Sequence, residues 1–186
     1  MYIETIEGKE TVLTIRALSE KDFDLTEIIN GVEVMAASPL GKHQRTVRNL
    51  YDILRQYTKK HKRGELFFAP LDVILKENFQ RLQPDIVFIK NENMGIFQDF
   101  IRGVPDMVCE VVSIGSLYKD TTTKKDIYEA YQVPEYWIVI PELKTIEVLT
   151  IEAGGYKLFS VVGAEGVICS KVIEGLQIDV RDVFDD

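Results

Sequence analysis

Cysteine and histidine are scarce in this chain, two of each among 186 residues. Cys109 and Cys169 are too few and too far apart for a disulfide framework or a cysteine zinc site, and both lie in apolar stretches, so they read as reduced core residues. No apolar run reaches the roughly 18 residues that span a bilayer, and the opening "MYIETIEGKETVLTIR" lacks the basic and apolar regions of a signal peptide. These absences predict no membrane partner and a cytoplasmic address. Glycine-rich phosphate loops, HExxH pairs and nucleophile elbows are missing too. So are repeats and low-complexity stretches, and a 46% hydrophobic composition then predicts one domain over 1–186.

Positive charge is in deficit, but unevenly. The formal net charge is -8, yet Lys42 to Arg63 holds eight Lys or Arg against one acid, Asp52. A basic segment on an acidic body fits one face that meets a polyanion while the rest repels it. The alternative is a solvated helix whose charges only decorate the surface.

What is present reads as alternating strands and helices. "YIETI" and "ETVLTIR" flank Gly8 as a hairpin extension over 1–18. Ser19 with Asp22 three residues on resembles a capping box that opens a short helix through "EKDFDLTEII", and Asn30-Gly31 signals a turn into a strand. In "KHQRTVRNLYDILRQYTKKHKRG", Val47, Leu50, Ile53 or Leu54 and Tyr57 recur at helical spacing, with Gly64 as the stop. "ELFFAPLDVILK" reads as a strand with an internal Pro70, "LQPDIVFIK" as a second entered through Pro84, and "DMVCEVV" as a third. "SLYKDTTTKKDIYEAYQV" is the second helix, "EYWIVI" a strand buried on both faces, and "TIEVLTIEAGGYKLFSVV" a hairpin turned at Gly154-Gly155. The fold class is α/β (α+β), a mixed β-sheet flanked by helices with hairpins added at the N- and C-terminal sides.

Glu110 stands inside "PDMVCEVVS", a run where an ionised carboxylate costs several kcal/mol unless something pairs with it. Asp85 opens the preceding strand-like run, "DIVFI". Sequential strands usually neighbour one another about 4.8 Å apart, so carboxylates at matching depth could share a divalent ion. Lys124, one turn into the next helix, could orient or deprotonate a water and stabilise charge on a phosphate. Mg²⁺ or Mn²⁺ suits such oxygen ligands. A structural alternative explains the same spacing: an internal salt bridge from Glu110 to Lys124, with Asp85 capping a strand.

The ordered set "QPDIVFI", "GVPDMVCEVVS" and "YKDTTTKKDIYEAYQVPEYWIVI", with "LTEIINGVEVMAASPLGKHQ" and "LFFAPLDVIL", resembles the Uma-type restriction-endonuclease family of the PD-(D/E)XK nuclease superfamily. The resemblance covers residues 19–160 as a family core and leaves 161–186 as a C-terminal tail. It implies a restriction-endonuclease-like core with metal-binding acids at Asp85 and Glu110 and the lysine at Lys124. The superfamily's usual lysine position, two after the Glu, is Val112 here, so the resemblance implies a lysine moved to the helix, with Lys125 as understudy. The family's "E-x-x-D-G-E" stretch becomes "EIINGVE", which leaves Glu27 and Glu33 both as candidates. Asp72 and His43 also match family positions. Asp72 is a candidate for the acidic cluster and His43 for a phosphate contact or a helix cap.

The resulting expectation is an endonuclease hydrolysing DNA phosphodiester bonds. Asp85, Glu110 and the Val111 carbonyl would hold Mg²⁺, Lys124 would steer the attacking water, and Lys42, His43, Arg45 and Arg48 would meet the DNA. By analogy with enzymes that cut two strands, a homodimer is expected. Two rivals remain at this level: a catalytically inactive module of the same fold that binds nucleic acid or protein, and a metal hydrolase of a small phosphorylated molecule. Trp137 and the helix tyrosines read as core, and His61 as solvated.

Overall fold

The computed structural model describes residues 26–35 and 38–185; the expected 1–18 hairpin and the capping box at Ser19 and Asp22 lie outside the described residues. Asn30 and Gly31, at φ 53° and 79°, form the two-residue turn between β1 (Thr26–Ile29) and β2 (Val32–Met35), where positive φ at both positions favours this dipeptide. Over its described part, Thr26–Ile29, the helix expected through "EKDFDLTEII" is thereby corrected. Thr26–Ile29 is a strand whose residues alternate between half-buried and buried. It is laddered on both sides, by β2 and by β5 (Gln80–Leu82). Ladder bonds and period-2 burial outweigh a local capping signal.

Helix α1 (Gly41–His61) buries Thr46, Leu50, Leu54 and Thr58, one residue per turn. Gly64 is not its stop. Lys62 takes the left-handed cap at φ 51°, whereas Gly64 opens β3 (Gly64–Phe68), where a Cβ would stand 2.1 Å from the Ile89 carbonyl oxygen. The strand expected through Pro70 is two strands, β3 and β4 (Val73–Lys76), in different sheets. Proline offers no ladder donor, and pairing ends there.

The chain continues through β5, β6 (Ile86–Lys90), a 3₁₀ turn (Asn91–Ile96), β7 (Ile101–Arg102) and β8 (Met107–Val111). A π-helical turn (Lys119–Lys124) runs into α2 (Lys125–Ala130), followed by β9 (Glu135–Ile140), β10 (Thr145–Glu152) and β11 (Gly155–Val162). A small hairpin of β12 (Val167–Cys169) and β13 (Gln177–Asp179) precedes α3 (Val180–Phe184).

Among the described residues the main sheet has the order β11-β10-β9-β8-β6-β3, and a second has β2-β1-β5-β4-β7. β8 and β9 are parallel, joined by the α2 crossover, while β6 pairs antiparallel with β8. Alternate residues of these central strands feed two cores. Ile86, Phe88, Cys109, Trp137 and Val139 pack with Leu50 and Leu54 of α1 and Val183 of α3. Val87, Val108, Val112, Tyr136 and Ile138 pack with Ile127 and Tyr128 of α2 and with the second sheet. The mixed α+β class is as expected, and no described helix is long and apolar enough to cross a membrane. Cys109 is buried, Cys169 is half-buried, and both are free thiols. Exposed His61 is not merely solvated: its ring stacks on Tyr57 at 4.3 Å.

Candidate active site

The β6–β8 register pairs Ile86 with Cys109. Extended by one pair, it sets Asp85 opposite Glu110, and directly opposite residues share a sheet face. Both line one cleft of about 410 Å³, together with Glu27, His43, Lys119 and Lys124. Asp85 is fixed on the sheet because its Oδ2 accepts the Val111 N–H at 2.7 Å. His43, in the first turn of α1, brings Nε2 to 3.3 Å from the same oxygen. His43 is therefore neither a helix cap nor a surface group. Burial lowers its pKa and Asp85 raises it, and the net shift is upward. Its Nδ1 is buried without a hydrogen-bond partner among the described residues.

Glu110 is buried in β8, and its Oε1 accepts hydrogen bonds from Lys124 Nζ at 2.9 Å and Tyr128 Oη at 2.8 Å. Lys124 also reaches Glu27 Oε1 at 2.8 Å and approaches Asp120 Oδ1 at 3.9 Å. Burial pushes the Glu110 carboxyl well up; Lys124 opposes that, while Asp120, Asp85 and Glu27 add to it. Asp120 is raised for the same leading reason, its burial. Burial would lower Lys124, yet three surrounding carboxylates drive it far above its ordinary value. Glu27 is buried, which raises its pKa, but Lys124, the Gln83 N–H and Lys119 bring it below the ordinary value. Lys124 Nζ is thus enclosed by carboxylates, two of them within 2.9 Å.

The structure separates the sequence candidates. Glu27 sits in the cluster, with Lys119 Nζ at 3.0 Å from Oε2, whereas Glu33 is exposed on β2. Asp72 does not line this cleft; its Oδ1 accepts Gln83 Nε2 at 2.8 Å. Lys125, half-buried, lies outside it as well. Lys42, Arg45 and Arg48 are exposed along the start of α1, Lys42 at 4.0 Å from Glu142 and Arg48 bonded to Asn49.

Sequence reasoning missed Lys119 and gave no role to Asp120 or the Tyr128 hydroxyl, although Lys124 stands four after Asp120 and four before Tyr128, as the family pattern asks. Lys119 is brought to Glu27 by the π-helical turn. That turn runs from Lys119 to Lys124, and both of its end residues reach Glu27.

The family model "Putative restriction endonuclease", Uma2, matches residues 15–181. The chain belongs to the Uma2 family. No match was found among curated proteins. Among solved structures, the Uma2 chain is similar to a crystal structure from Anabaena variabilis ATCC 29413 described as "a putative nuclease belonging to DUF820". The TM-score is 0.70 at 16% identity, over 86% of this chain and 89% of that one. At that identity the likeness concerns the fold.

Uma2 membership makes a divalent cation the group to test against these donors. Each of Asp85 and Glu110 commits one oxygen to the protein; Asp85 Oδ1 and Glu110 Oε2 have no hydrogen-bond or ion-pair partner among the described residues. Counted as ionised, the four carboxylates that line the cleft exceed its two lysines by two charges, or by one when His43 is protonated. Among the described residues, no group of three His, Cys, Asp or Glu side chains is arranged to hold a metal. A hard cation takes one or two carboxylates and otherwise water and substrate oxygen, and Asp85 and Glu110 are two carboxylates on one cleft.

Proposed function

We propose that this Uma2 protein is a metal-dependent endonuclease that hydrolyses DNA phosphodiester bonds. The observation that carries the reading is the pairing of Asp85 with Glu110 across two strands, each with a free oxygen, in a cleft left short of positive charge. Asp85, Glu110 and the Val111 carbonyl would hold Mg²⁺ or Mn²⁺. When bound, the ion would polarise the scissile phosphate and stabilise the leaving oxyanion.

The chain's own groups do the rest. Lys124, kept cationic by Glu110, Glu27 and Asp120, donates a hydrogen bond that orients the attacking water. Water attack forms one P–O bond and breaks another; the attacking water gives up a proton to solvent and the leaving oxygen takes one. Glu27 is a positioning residue that holds Lys124 and Lys119. His43 steadies Asp85, while Lys42, Arg45 and Arg48 contact phosphates without reading sequence. Cutting both strands would take a symmetric pair of chains, which sedimentation of the free protein would reveal.

A second reading has its own observation: Lys124 is already paired with two carboxylates within 2.9 Å and has a third at 3.9 Å, as in a closed ion-pair cluster. A module that binds without turnover would look so. Incubating single- and double-stranded DNA with Mg²⁺ or Mn²⁺ separates the readings. Cutting by the parent but not by Glu110→Ala or Lys124→Ala supports the nuclease. DNA retention without cutting supports the module, and equal cutting by all three proteins removes the site assignment.

A further inference from the structure

At the far end of α1 from the cleft lies a second concavity of about 550 Å³, lined by Lys62, Arg63, Lys90 and Lys171 with Glu92 and Glu174. Three backbone segments build it, and each is held. The Asn91 side chain donates to the Lys62 carbonyl at 2.7 Å, and the Asn91 N–H to the Arg63 carbonyl at 3.4 Å, which ties the helix cap to the end of β6. The third segment is pinned from below: the buried carboxylate of Glu135 accepts the N–H groups of Lys171 and Val172 at 2.7 and 3.0 Å.

The charges are only partly spent. Arg63 Nη2 reaches Glu174 at 3.3 Å and Lys171 reaches Glu152 at 3.6 Å. Lys62 and Lys90 make no side-chain ion pair with any described residue. The concavity is therefore a rigid, polar notch with two uncommitted ammonium groups, on a body whose net charge is -8. A basic stripe leads to it. Arg45, Arg48, Arg55, Lys59 and Lys62 recur at three- and four-residue intervals, with Asp52 as the single acid in the same row. That spacing puts Arg45, Arg48, Arg55 and Lys59 along one solvent-facing side of α1, away from buried Thr46, Leu50, Leu54 and Thr58, and Lys62 follows at the left-handed cap.

We propose that the notch is a second anion site, which takes a backbone phosphate of the nucleic acid whose scissile bond lies in the cleft. His43 at the cleft and His61 beside the notch are 18 residues apart on one helix, so the two sites are about 27 Å apart. That is roughly eight base pairs of duplex at about 3.4 Å each. The inference rests on the nuclease reading for its ligand but not for the existence of the site.

The test uses the full chain and two hairpin-closed DNA duplexes, of about 6 and about 24 base pairs, bound in Ca²⁺ across a salt series. The parent should bind the long duplex with a salt slope steeper by about two contacts. The Lys62→Gln/Lys90→Gln variant should lose that excess, weakening about tenfold on the long duplex at moderate salt and not at all on the short one. Unchanged binding of the short duplex also shows that the variant folds. Equal weakening on both duplexes, or none on the long one, overturns the anchor. If the parent binds and cuts DNA while parent and variant stay indistinguishable, only this inference falls; if it binds neither duplex, the nuclease reading falls with it. Inorganic phosphate that binds the parent but not the variant, with no length effect, would reassign the notch to a small free anion and overturn the nucleic-acid role.

Discussion

Glu110 and Glu135 are two carboxylates buried in adjacent parallel strands, and their surroundings could hardly differ more. Glu135 collects donors from Trp137 Nε1 at 2.7 Å, Ser170 Oγ at 2.6 Å and two backbone N–H groups. Both of its oxygens are satisfied by neutral, fixed dipoles, and no other acid lines its site in those contacts. Glu110 has one oxygen held by an ammonium and a phenol and the other unclaimed among the described residues, with Asp120, Asp85 and Glu27 close enough to raise its pKa. Burial is equal, but satisfaction is not. A saturated carboxylate staples a turn, whereas one left short of partners among like charges awaits a cation.

The contrast breaks most sharply under truncation. Glu135→Ala strands four donors, two of them main-chain N–H groups, and should cost about 3–5 kcal/mol of stability in a denaturant titration. Whatever protein remains folded should still respond to Mg²⁺. Glu110→Ala should instead leave a folded protein with cleavage reduced on the order of 10²–10³-fold, measured as kcat on plasmid DNA. A Glu110→Ala protein that cuts normally, or a Glu135→Ala protein that is fully stable, would erase the distinction between the two carboxylates.

Metal itself sharpens the comparison at smaller amplitude. Saturating Mg²⁺ should stabilise the parent by about 1–3 kcal/mol, the mass-action return for a ligand present well above its Kd. Asp85→Asn and Glu110→Gln should abolish that gain, and Glu135→Gln should keep it despite a lower baseline. Thermal melts with and without Mg²⁺ read this without any substrate. A Glu110→Gln protein that still gains full stability from Mg²⁺ would place the ion elsewhere.

How much of this was legible in the sequence depends on how far apart the partners lie. Glu110 stood out because its neighbours are apolar, and Asp85 and Lys124 lie within one strand or helix of it. Glu135 drew no notice at the mouth of "EYWIVI", because its donors at Ser170, Lys171 and Val172 come 35 to 37 residues later with no local motif. The basic helix and the Gly154-Gly155 hairpin were readable from periodicity and turn chemistry alone. Thr26–Ile29 reads as helix locally because, beside its hairpin neighbour β2, its other strand partner is the distant β5, and residues 80–82 carry no sign of which strand they will join. Glu27 could be told from Glu33 only once β1 had shown which of its faces is buried.

Tyr128 marks the finest division between the two regions, since its ring belongs to the core and its hydroxyl to the site. The ring is fully buried against Tyr136 at 5.0 Å, which is all that helical periodicity predicted. Among the described residues the hydroxyl supplies one of two donors to Glu110. Tyr128→Phe preserves the packing and should cost about 1 kcal/mol at most in stability. If the hydroxyl serves the site, Glu110 is left with Lys124 alone, the carboxyl becomes still harder to ionise, and more Mg²⁺ is needed to reach half-maximal cleavage, with maximal rate little changed. If the tyrosine is only core, the melting temperature shifts slightly and the Mg²⁺ dependence stays where it was.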